Sequence, residues 1–531
     1  MMMMLADCLI IGGGLAGWMA ARECVRAGLR TCLLRDGRGA SPWVHGFNVP
    51  LHPEDSPDIF LRDTLQSGQG LSDSELASAL CHDALQILEL LQSMGLSFNR
   101  DGRGYQLLRP LGASCPRVAS IGNSTGDAVL KALRSELSGK VIEKSNTRAI
   151  RLLVDNRKVT GAVAYSRKDR EWLQISSRAT ILASGGYCGI YPASTNKSDS
   201  GGDGIAMAYE AGATLCDMEF VQFEPSAAVW PKQLIGTSVI TTLLFEGAVL
   251  RNKEGQRFML RYDAAGERVG KDVLTSRIAE EIANGHGTAH GGVYFDATGV
   301  DHEHLKSDYA MYVKRYSAVG IDLFTEWIEI APAPHTSLGG VRIGEDGCTT
   351  LDGLFACGEI IGGLHGANRI GGNAGLETLV FGRRAGKRAA SYAAGAALSS
   401  QVFAQEMEFA EASCAARLGE LRRGMQEALW QGVNVLREEC SLTNAVNRMT
   451  ESLEELRPMC GQDNQEEFLC RRLQNDMTAA LLTARAALER RDTLGCHRRS
   501  DYPRLAEQTY RLVLQNDGRN GAQVRRENQV Q

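Results

Sequence analysis

The sequence predicts an α/β fold, made of a split Rossmann-like nucleotide-binding domain, an inserted α+β capping domain and a C-terminal helical domain. Two glycine-rich strand–loop–helix units, one at the start of the chain and one at 354–386, indicate the two parts of the nucleotide-binding domain. Prolines mark the entrance and the exit of the segment between them, and helical periodicity dominates the end of the chain. These features predict domain segments at 1–223, 224–334, 335–390 and 391–531.

The first unit begins with an apolar strand at 7–11, and a helix at 15–27 and a strand at 30–34 follow. The first turn of this β-α-β unit carries three glycines in GxGxxG spacing: Gly12, Gly14 and Gly17. Glycines here permit a tight turn and a close approach to a pyrophosphate, which also meets the positive end of the helix. The pattern therefore predicts dinucleotide binding, and Asp36, just after the second strand, is the candidate ligand of a ribose.

The second unit runs from a short strand at 354–357 into a glycine-dense loop that carries His365, Asn368 and Arg369. An amphipathic helix begins near Ala374. A buried arginine in such a loop needs an anion or a carboxylate beside it. The alternative interpretation is an ordinary glycine-rich surface loop.

Other segments give weaker signals. A helical pattern covers 54–99, with Asp73 as the predicted N-cap of its second helix. Alternation over 141–175 predicts a hairpin or a three-stranded β insertion, followed by a separate buried strand at 178–184. Residues from about 516 onward are polar, and we predict that they are frayed.

Composition excludes several classes of protein. The 531 residues are 44% hydrophobic and 23% charged, which is typical of a soluble globular protein, and the net charge of −5 argues against a general nucleic-acid binder. The 14 cysteines show no CxxC pair and no metal-ligand spacing, which indicates reduced thiols in a cytoplasmic protein without a metal site. No apolar run reaches the ~18–20 residues of a membrane helix, and the start predicts a strand, not a signal peptide.

Nearly the whole chain, in order, resembles the flavoprotein family of succinate dehydrogenase, fumarate reductase and L-aspartate oxidase. The matching stretches are IIGGGLAG at 10–17, DTLQSGQGLSD at 63–73, TILASGG at 180–186, GGDGIAMAYEAGA at 201–213, DMEFVQFEP at 217–225, APAPHTSLGGV at 331–341, LFACGEIIGGLHGANRIGGNAGLETLVFG at 354–382 and GCHRRSDYP at 495–503. The resemblance implies an FAD-binding domain interrupted by a mobile capping domain. It also implies an oxidoreductase that moves a hydride between FAD and a small acid.

The resemblance extends to the cofactor residues. It implies that the three glycines of the first unit hold the FAD pyrophosphate and that Glu359 takes a ribose. Asn373 and Leu376, at the start of a helix, would face the isoalloxazine, where the helix dipole stabilises the negative charge of a reduced flavin. Gly185 and Asp203 lie in two further matching stretches and are also predicted to bind the cofactor.

The resemblance also bears on how FAD is attached. Membrane-bound members carry a histidine linked covalently to FAD, and the corresponding loop here is SPWVHG at 41–46. Pro42 aligns with that histidine, so we expect FAD to be bound without a covalent bond. His45 is close enough to leave the covalent alternative open.

The predicted substrate site departs from the family pattern. His335 and Arg369 match the family's histidine and arginine that hold a substrate carboxylate. Glu224 replaces the histidine of the family's QFHP, and Lys271 stands where the family has its proton-delivering arginine. Each residue also has a plain structural interpretation. Glu224 could be a solvated loop acid and Lys271 an ordinary lysine at a helix start. His335 could be a core histidine and Arg369 a structural ion-pair partner.

The family's Thr-Glu pair aligns with Thr241-Thr242, which loses the acid; an equal alternative is that both threonines simply pack in a strand. A carboxylate at Glu224 would repel a second substrate carboxylate. Substrates with one acid group and an amine or hydroxyl are therefore expected to fit better than succinate, fumarate or aspartate. Lys271 keeps a cation for proton transfer, and we expect it to form an ion pair with Glu224 if both face one cleft.

Two functions of different classes follow. The first is an enzyme that moves a hydride between FAD and a small carboxylate-bearing substrate, with a redox partner subunit or a soluble electron acceptor. The second is an electron-transfer subunit whose substrate site has decayed. Reduction of the flavin by a panel of acids distinguishes them.

Overall fold

The computed structural model describes residues 2–102, 104–122, 124–239, 241–399, 409–518 and 522–528. Its α-helices are α1 (Leu15–Arg26), α2 (Pro57–Ser67), α3 (Ser74–Ser93), α4 (Thr125–Glu136), α5 (Asp203–Glu210), α6 (Lys271–Glu281), α7 (His302–Asp308), α8 (Ala310–Ser317), α9 (Asn373–Gly395), α10 (Ala415–Gly432), α11 (Glu439–Leu456) and α12 (Asn464–Glu489).

The strands, in chain order, are β1 (Met2–Ile11), β2 (Thr31–Arg35), β3 (Phe47–Asn48), β4 (Arg100–Asp101), β5 (Gly104–Tyr105), β6 (Leu107–Leu108), β7 (Val118–Ala119), β8 (Ile142–Ser145), β9 (Thr147–Asp155), β10 (Lys158–Ser166), β11 (Glu171–Leu182), β12 (Leu215–Cys216), β13 (Val221–Ala228), β14 (Val249–Arg251), β15 (Val293–Asp296), β16 (Ile328–Ser337), β17 (Gly340–Arg342), β18 (Leu354–Ala356), β19 (Ile361–Gly362), β20 (Leu436–Arg437), β21 (Arg498–Arg499), β22 (Tyr510–Asn516) and β23 (Ala522–Asn528).

The largest sheet has the order β8-β2-β1-β11-β10-β9, and β18 pairs with β11. β1 runs parallel to β2 and to β11, and α1 connects β1 to β2, which confirms the predicted β-α-β unit. Cys8–Ile11 are fully or almost fully buried, because both faces of this central strand are covered. The carboxyl ends of β1, β11 and β18 thus meet at one edge, where both glycine-rich loops begin.

The meander was predicted to be separate from the following buried strand, and this is wrong. β9, β10 and β11 form the expected antiparallel strands, but β11 continues as one strand of 12 residues into the parallel sheet. Its sequence, EWLQISSRATIL, contains no glycine or proline that would end a strand. The first half of β11 pairs with β10, and nearly its whole length pairs with β1.

A four-stranded sheet, β13-β16-β15-β14, lies between the two glycine-rich units in the chain, together with α6, α7 and α8. We call residues 221–337, which contain these elements, the cap. It has a hydrophobic core of its own, in which Leu250, Phe258, Phe295 and Ile330 are fully buried. The predicted limits of 224 and 334 stay a prediction.

The C-terminal region contains α10, α11 and α12, which pack on the main core through residues such as Met425, Leu442 and Met477. The prediction of a frayed end is wrong for residues 522–528, which form β23 and pair antiparallel with β22, while 519–521 and 529–531 lie outside the described residues. Most residues of β22 are buried, whereas β23 is a mostly exposed edge strand held by backbone hydrogen bonds. Polar composition therefore misled the prediction, because such pairing does not require apolar side chains. No helix in the described ranges is long and apolar enough to cross a membrane.

Candidate active site

The first glycine loop, after β1, has no room for side chains. Gly12 has φ +127°, and a Cβ atom there would lie 2.0 Å from the carbonyl oxygen of Ala183. A Cβ atom at Gly17 would lie 1.9 Å from the carbonyl oxygen of Gly12. Gly14 precedes α1 and offers no side-chain cap, and the N–H of Leu15 instead donates to the Ser41 hydroxyl at 2.9 Å. The backbone of strand, loop and helix is thus in direct contact, as close approach to a dinucleotide requires.

Asp36 and Asp203, both predicted to bind the cofactor, are held by protein side chains. Asp36 pairs with Arg148 at 2.9 Å and with Arg167 at 2.5 Å. Asp203, the first residue of α5, pairs with Arg148 at 2.9 Å and accepts from the Asn475 amide at 2.9 Å. Sequence reasoning missed Arg148, which no motif marks. Cofactor roles for both aspartates stay predictions.

Glu359 lies where the carboxyl end of β16 approaches the second glycine loop. Its Oε1 accepts from the Thr336 hydroxyl at 2.8 Å and from the Ser337 N–H at 3.2 Å. A Cβ atom at Gly186 would lie 2.1 Å from the same oxygen, so the glycine after Gly185 makes room for the carboxylate. Burial raises the pKa of Glu359 above its ordinary value.

Two serine hydroxyls in this part of the structure lack a partner. The Oγ atoms of Ser184 and Ser337 are buried and have no hydrogen-bond partner among the described residues. Ser184 follows β11 and lies against Gly204 at the start of α5. Buried hydroxyls are normally bonded, so both point to a polar ligand beside them.

The start of α9 is fixed by a side chain that the sequence did not single out. Asn48 donates to the side-chain oxygen of Asn373 at 2.6 Å and to the carbonyl oxygen of Gly371 at 2.8 Å. Gly372 has φ +88°, which turns the chain into the helix. Asn373 and Leu376 are fully buried. Asn48 therefore holds the positive end of α9 in place, and the roles of Asn373 and Leu376 at the flavin stay predictions.

Arg369 differs from Arg117, another deeply buried arginine. Its residue is 7% exposed, and its Nε has no hydrogen-bond partner within the described part of the chain. Arg117, the residue directly before β7, is fully buried and pairs with Asp55 at 2.9 Å and with Asp63 at 2.7 Å. Burial lowers the pKa of Arg369, and Glu359, Glu377 and Glu224 oppose this. Arg117 therefore has its own counter-charges, whereas the unpartnered Nε of Arg369 leaves a hydrogen bond for an anion from outside.

Glu224 and Lys271 form an ion pair. The Nζ of Lys271, at the start of α6, lies 2.6 Å from Oε2 of Glu224 on β13. Their side chains are 15% and 5% exposed. Burial alone would raise the pKa of Glu224, but the Lys271 ammonium, with His335 and Arg369, holds it below its ordinary value. The two residues therefore form the ion pair that the sequence suggested.

His335 lies on β16, close enough to Glu224, Lys271 and Arg369 for their charges to affect its pKa. Its Nδ1 is 2.8 Å from the hydroxyl of Thr195, and the Asn196 amide donates to its carbonyl oxygen at 3.1 Å. Burial lowers the pKa of His335 to about 3, with Glu224 opposing and Lys271 and Arg369 assisting. The imidazole is therefore neutral near pH 7. Thr195 and Asn196 were not predicted.

Thr241 and Thr242 do not lie in a strand, which was one alternative considered. They begin a 3₁₀ helix over Thr241–Phe245, in which Thr241 is buried.

The loop at 41–46 aligns with the family's site of covalent flavin attachment. Pro42 is buried in a short 3₁₀ turn of this loop, and His45 is exposed.

Two family models match the chain: an FAD binding domain over residues 7–374 and a fumarate reductase flavoprotein C-terminal domain over residues 422–527. The chain belongs to the fumarate reductase flavoprotein family. One subunit of the fumarate reductase (CoM/CoB) of Methanothermobacter marburgensis is 37% identical over 529 residues, covering 96% of this chain and 97% of that protein. L-aspartate oxidase of Caulobacter vibrioides is 32% identical, with 96% of each chain covered.

Among solved structures, a variant of FrdA from the Escherichia coli quinol fumarate reductase superposes with a TM-score of 0.89. The two sequences are 24% identical, and the superposition covers 100% of this chain and 98% of FrdA. The family membership makes the protein an FAD-dependent oxidoreductase. The described residues fit FAD: the packed glycine loop and the positive ends of α1 and α9 suit a dinucleotide and its flavin. The two unpartnered serine hydroxyls suit the polar groups of the same ligand.

Proposed function

We propose that this flavoprotein moves a hydride between FAD and a small substrate that Arg369 anchors by a carboxylate. The observation that carries the proposal is the buried Arg369 guanidinium: its Nε lacks a partner among the described residues, and its charge lies close enough to the Lys271–Glu224 pair to lower the pKa of Glu224. An anion that enters such a site replaces lost solvation with a charge-assisted hydrogen bond. FAD, when bound, supplies the two-electron donor or acceptor.

Lys271 is the proton-transfer residue of the proposed reaction. Its ammonium can give a proton to the substrate carbon or nitrogen and take it back in the opposite direction. Glu224, at 2.6 Å, orients the ammonium. His335 is neutral, so it contributes a hydrogen bond and leaves the charge recognition to Arg369.

The proposed substrate class is a small acid that carries an amine or hydroxyl, and not a simple dicarboxylate. Glu224 is an acceptor on the cleft wall, and an amine or hydroxyl donates to it. The ion pair with Lys271 balances the charge of Glu224, so a second substrate carboxylate meets less repulsion than Glu224 alone would produce. That second carboxylate would still have to displace Glu224 from the Lys271 ammonium.

The relative from the fumarate reductase (CoM/CoB) favours a second candidate, fumarate reduction by a complex to which this chain contributes the flavin. A redox partner subunit or a soluble electron acceptor is proposed in either case. The third candidate, an electron-transfer subunit with a decayed site, is less well supported, because the ion pair and the arginine with an unpartnered Nε are both in place. The cytoplasmic location stays a prediction.

An anaerobic substrate panel tests these candidates. Amino and hydroxy acids are expected to bleach the flavin, while succinate bleaches it slowly and fumarate reoxidises the reduced flavin slowly. Brisk fumarate reduction by the unmodified protein would favour the second candidate. A flavin that no acid bleaches, and that fumarate does not reoxidise, would favour the third.

Arg369→Lys tests the anchor. Loss of a desolvated charge-assisted pair costs on the order of 2–5 kcal/mol, so the apparent KM should rise steeply while FAD content stays normal. If the variant loses FAD instead, the arginine is structural. Glu224→His with Lys271→Arg should raise fumarate turnover, with Thr242 still limiting it.

A further inference from the structure

The residue next to Lys271 connects the cap to the rest of the molecule. Asp272 does not cap its own helix: α6 begins after Gly270 without a side-chain cap. Its two carboxylate oxygens instead accept from two amides outside the cap. Gln69 Nε2 donates to Oδ2 at 3.1 Å, and Asn368 Nδ2 donates to Oδ1 at 3.4 Å.

Both amide partners make further hydrogen bonds, Asn368 with Gln222 on β13 of the cap and Gln69 with Gly495. Asn368 directly precedes Arg369, and its side-chain oxygen accepts from Gln222 Nε2 at 2.9 Å. The same Gln222 nitrogen donates to the carbonyl oxygen of Arg369 at 3.0 Å. Gln69 accepts from the N–H of Gly495 at 3.0 Å. The loop that carries Arg369 is thus bonded through Asn368 to the helix turn that carries Lys271.

From these contacts we infer that Asp272 is a positioning residue, which sets the Lys271 ammonium at a fixed place relative to the carboxylate anchor Arg369. Lys271 and Asp272 are consecutive in the first turn of α6, and Asn368 and Arg369 are consecutive in the glycine loop. The Asp272–Asn368 bond therefore joins the immediate chain neighbours of the two functional residues. The inference rests on the proposed function for the roles of Lys271 and Arg369.

A second contact between the cap and the rest of the molecule, this time with the C-terminal segment, provides a comparison. Glu280, near the end of α6, pairs with Arg498 at 2.8 Å, with side chains 21% and 32% exposed. Exposed pairs of this kind contribute about 0–1 kcal/mol. Glu280 lies at the opposite end of α6 from Lys271, so its loss leaves the first turn of the helix in place.

Solvent reaches the link. Asp272, Gln69, Ser276 and Arg498 line a groove of about 220 Å³ at the seam between the cap and the C-terminal segment. Water can replace either amide on the carboxylate, so the link can open and close without leaving an unbonded group. When a cap that has opened for substrate entry closes again, Asp272 would re-form its hydrogen bonds to the same two amides.

The test compares Asp272→Ala with the control Glu280→Gln in the FAD-loaded protein. Misplacement of a catalytic group by about 1 Å costs up to about 10²-fold in rate, so kcat of Asp272→Ala should fall by about 10- to 100-fold. The apparent KM should change by less than about threefold, because Arg369 still holds the substrate. Glu280→Gln should change neither parameter by more than about threefold.

An amide–carboxylate exchange gives the positive arm. Asn368→Asp alone places two carboxylates opposite each other and should lower kcat at least as much as Asp272→Ala. Adding Asp272→Asn restores one amide and one carboxylate in reversed order and should recover much of the lost kcat. A merely structural role for either residue does not predict this recovery, so its absence would overturn the inference.

A measurement without substrate separates this inference from the proposed function. Hydrogen exchange of the peptide covering 271–281 should be faster in Asp272→Ala than in Glu280→Gln. Unchanged exchange together with unchanged kcat would overturn the inference. If Arg369→Lys leaves KM unaltered while Asp272→Ala gives faster exchange and a lower kcat, the proposed anchor fails and the positioning role stands.

Discussion

The cofactor loop and the substrate cleft of this flavoprotein are built from different kinds of contact. In the loop, backbone packs on backbone: no Cβ atom fits at Gly12, where the Ala183 carbonyl oxygen would lie at 2.0 Å. In the cleft, side-chain charges from separate segments meet, as Glu224 and Lys271 do at 2.6 Å. We therefore expect cofactor binding to depend on space that tolerates no added atom, and substrate choice to depend on a few charges that substitution can change.

The largest effect is expected from filling the cofactor loop. Gly12→Ala adds a backbone clash to a φ of +127°, and it should destabilise the protein by at least about 3 kcal/mol and abolish FAD binding. Gly28 is the matched control, since it has φ +79° but nothing within 4 Å of an added Cβ atom. Gly28→Ala should cost only about 1–2 kcal/mol and keep FAD. Urea unfolding and flavin absorbance measure both, and a Gly12→Ala protein with normal FAD would contradict the comparison.

A change of charge in the cleft should affect the rate and leave the cofactor bound. Lys271→Ala removes the proposed proton donor and should slow turnover by at least ~100-fold with FAD content unaltered. Lys271→Arg keeps a cation opposite Glu224 and should retain more activity. Stopped-flow flavin reduction gives the rates, and a full rate in Lys271→Ala would remove this lysine from the mechanism.

The neutral His335 predicts a pH dependence of stability. Its pKa is lowered from 6.5 to about 3 in the folded protein, so the unfolded chain binds the extra proton first as pH falls below 6.5. The contribution of His335 to stability is therefore fully present above pH 6.5 and declines toward pH 3, by up to about 2 kcal/mol between pH 6.5 and pH 5, whereas Glu219, whose pKa is raised to about 7, contributes with the opposite sign. Glu224, whose pKa is also lowered, acts below pH 4.5 and so outside this interval.

The control for this interval is His335→Asn. The buried His497 also has a lowered pKa, so the variant should keep part of the slope and lose the part that belongs to His335. Urea unfolding at about pH 5, 6 and 7 covers the interval in which the unfolded imidazole titrates. Identical slopes in the two proteins would show that the imidazole is charged in the folded state.

The smallest effect concerns attachment of the flavin. Pro42 occupies the aligned position of the covalently linked histidine, so no bond between protein and FAD is expected. Acid or heat denaturation should release all of the flavin absorbance into the supernatant. Flavin that stays on the protein in a denaturing gel would point to His45, which is exposed in the same loop.

The sequence could predict those parts of the fold and the site that local spacing encodes. The β-α-β unit, the N-cap role of Asp73 and the start of α9 all follow from short patterns. The ion pair of Glu224 and Lys271 could only be suggested, because the residues are 47 positions apart and a cleft must bring them together. The pairing of Arg148 with Asp36 and Asp203 joins three separate segments, and no local signal indicates it.

The errors in strand assignment share one cause. β11 continues from a meander into a parallel sheet because its partners change, from β10 to β1, while its own sequence gives no sign of a boundary. β23 forms because β22 offers a free edge, although its residues are polar and exposed. Strands depend on distant partners, and alternation within one segment does not name them.

The separate hydrophobic core of the cap has a consequence for heating. Among the described residues, the buried members of that core and of the main core form distinct clusters. The cap can therefore melt as a cooperative unit of its own while the body still retains FAD. A single melting temperature would not describe this protein, and flavin fluorescence and circular dichroism should then report different midpoints.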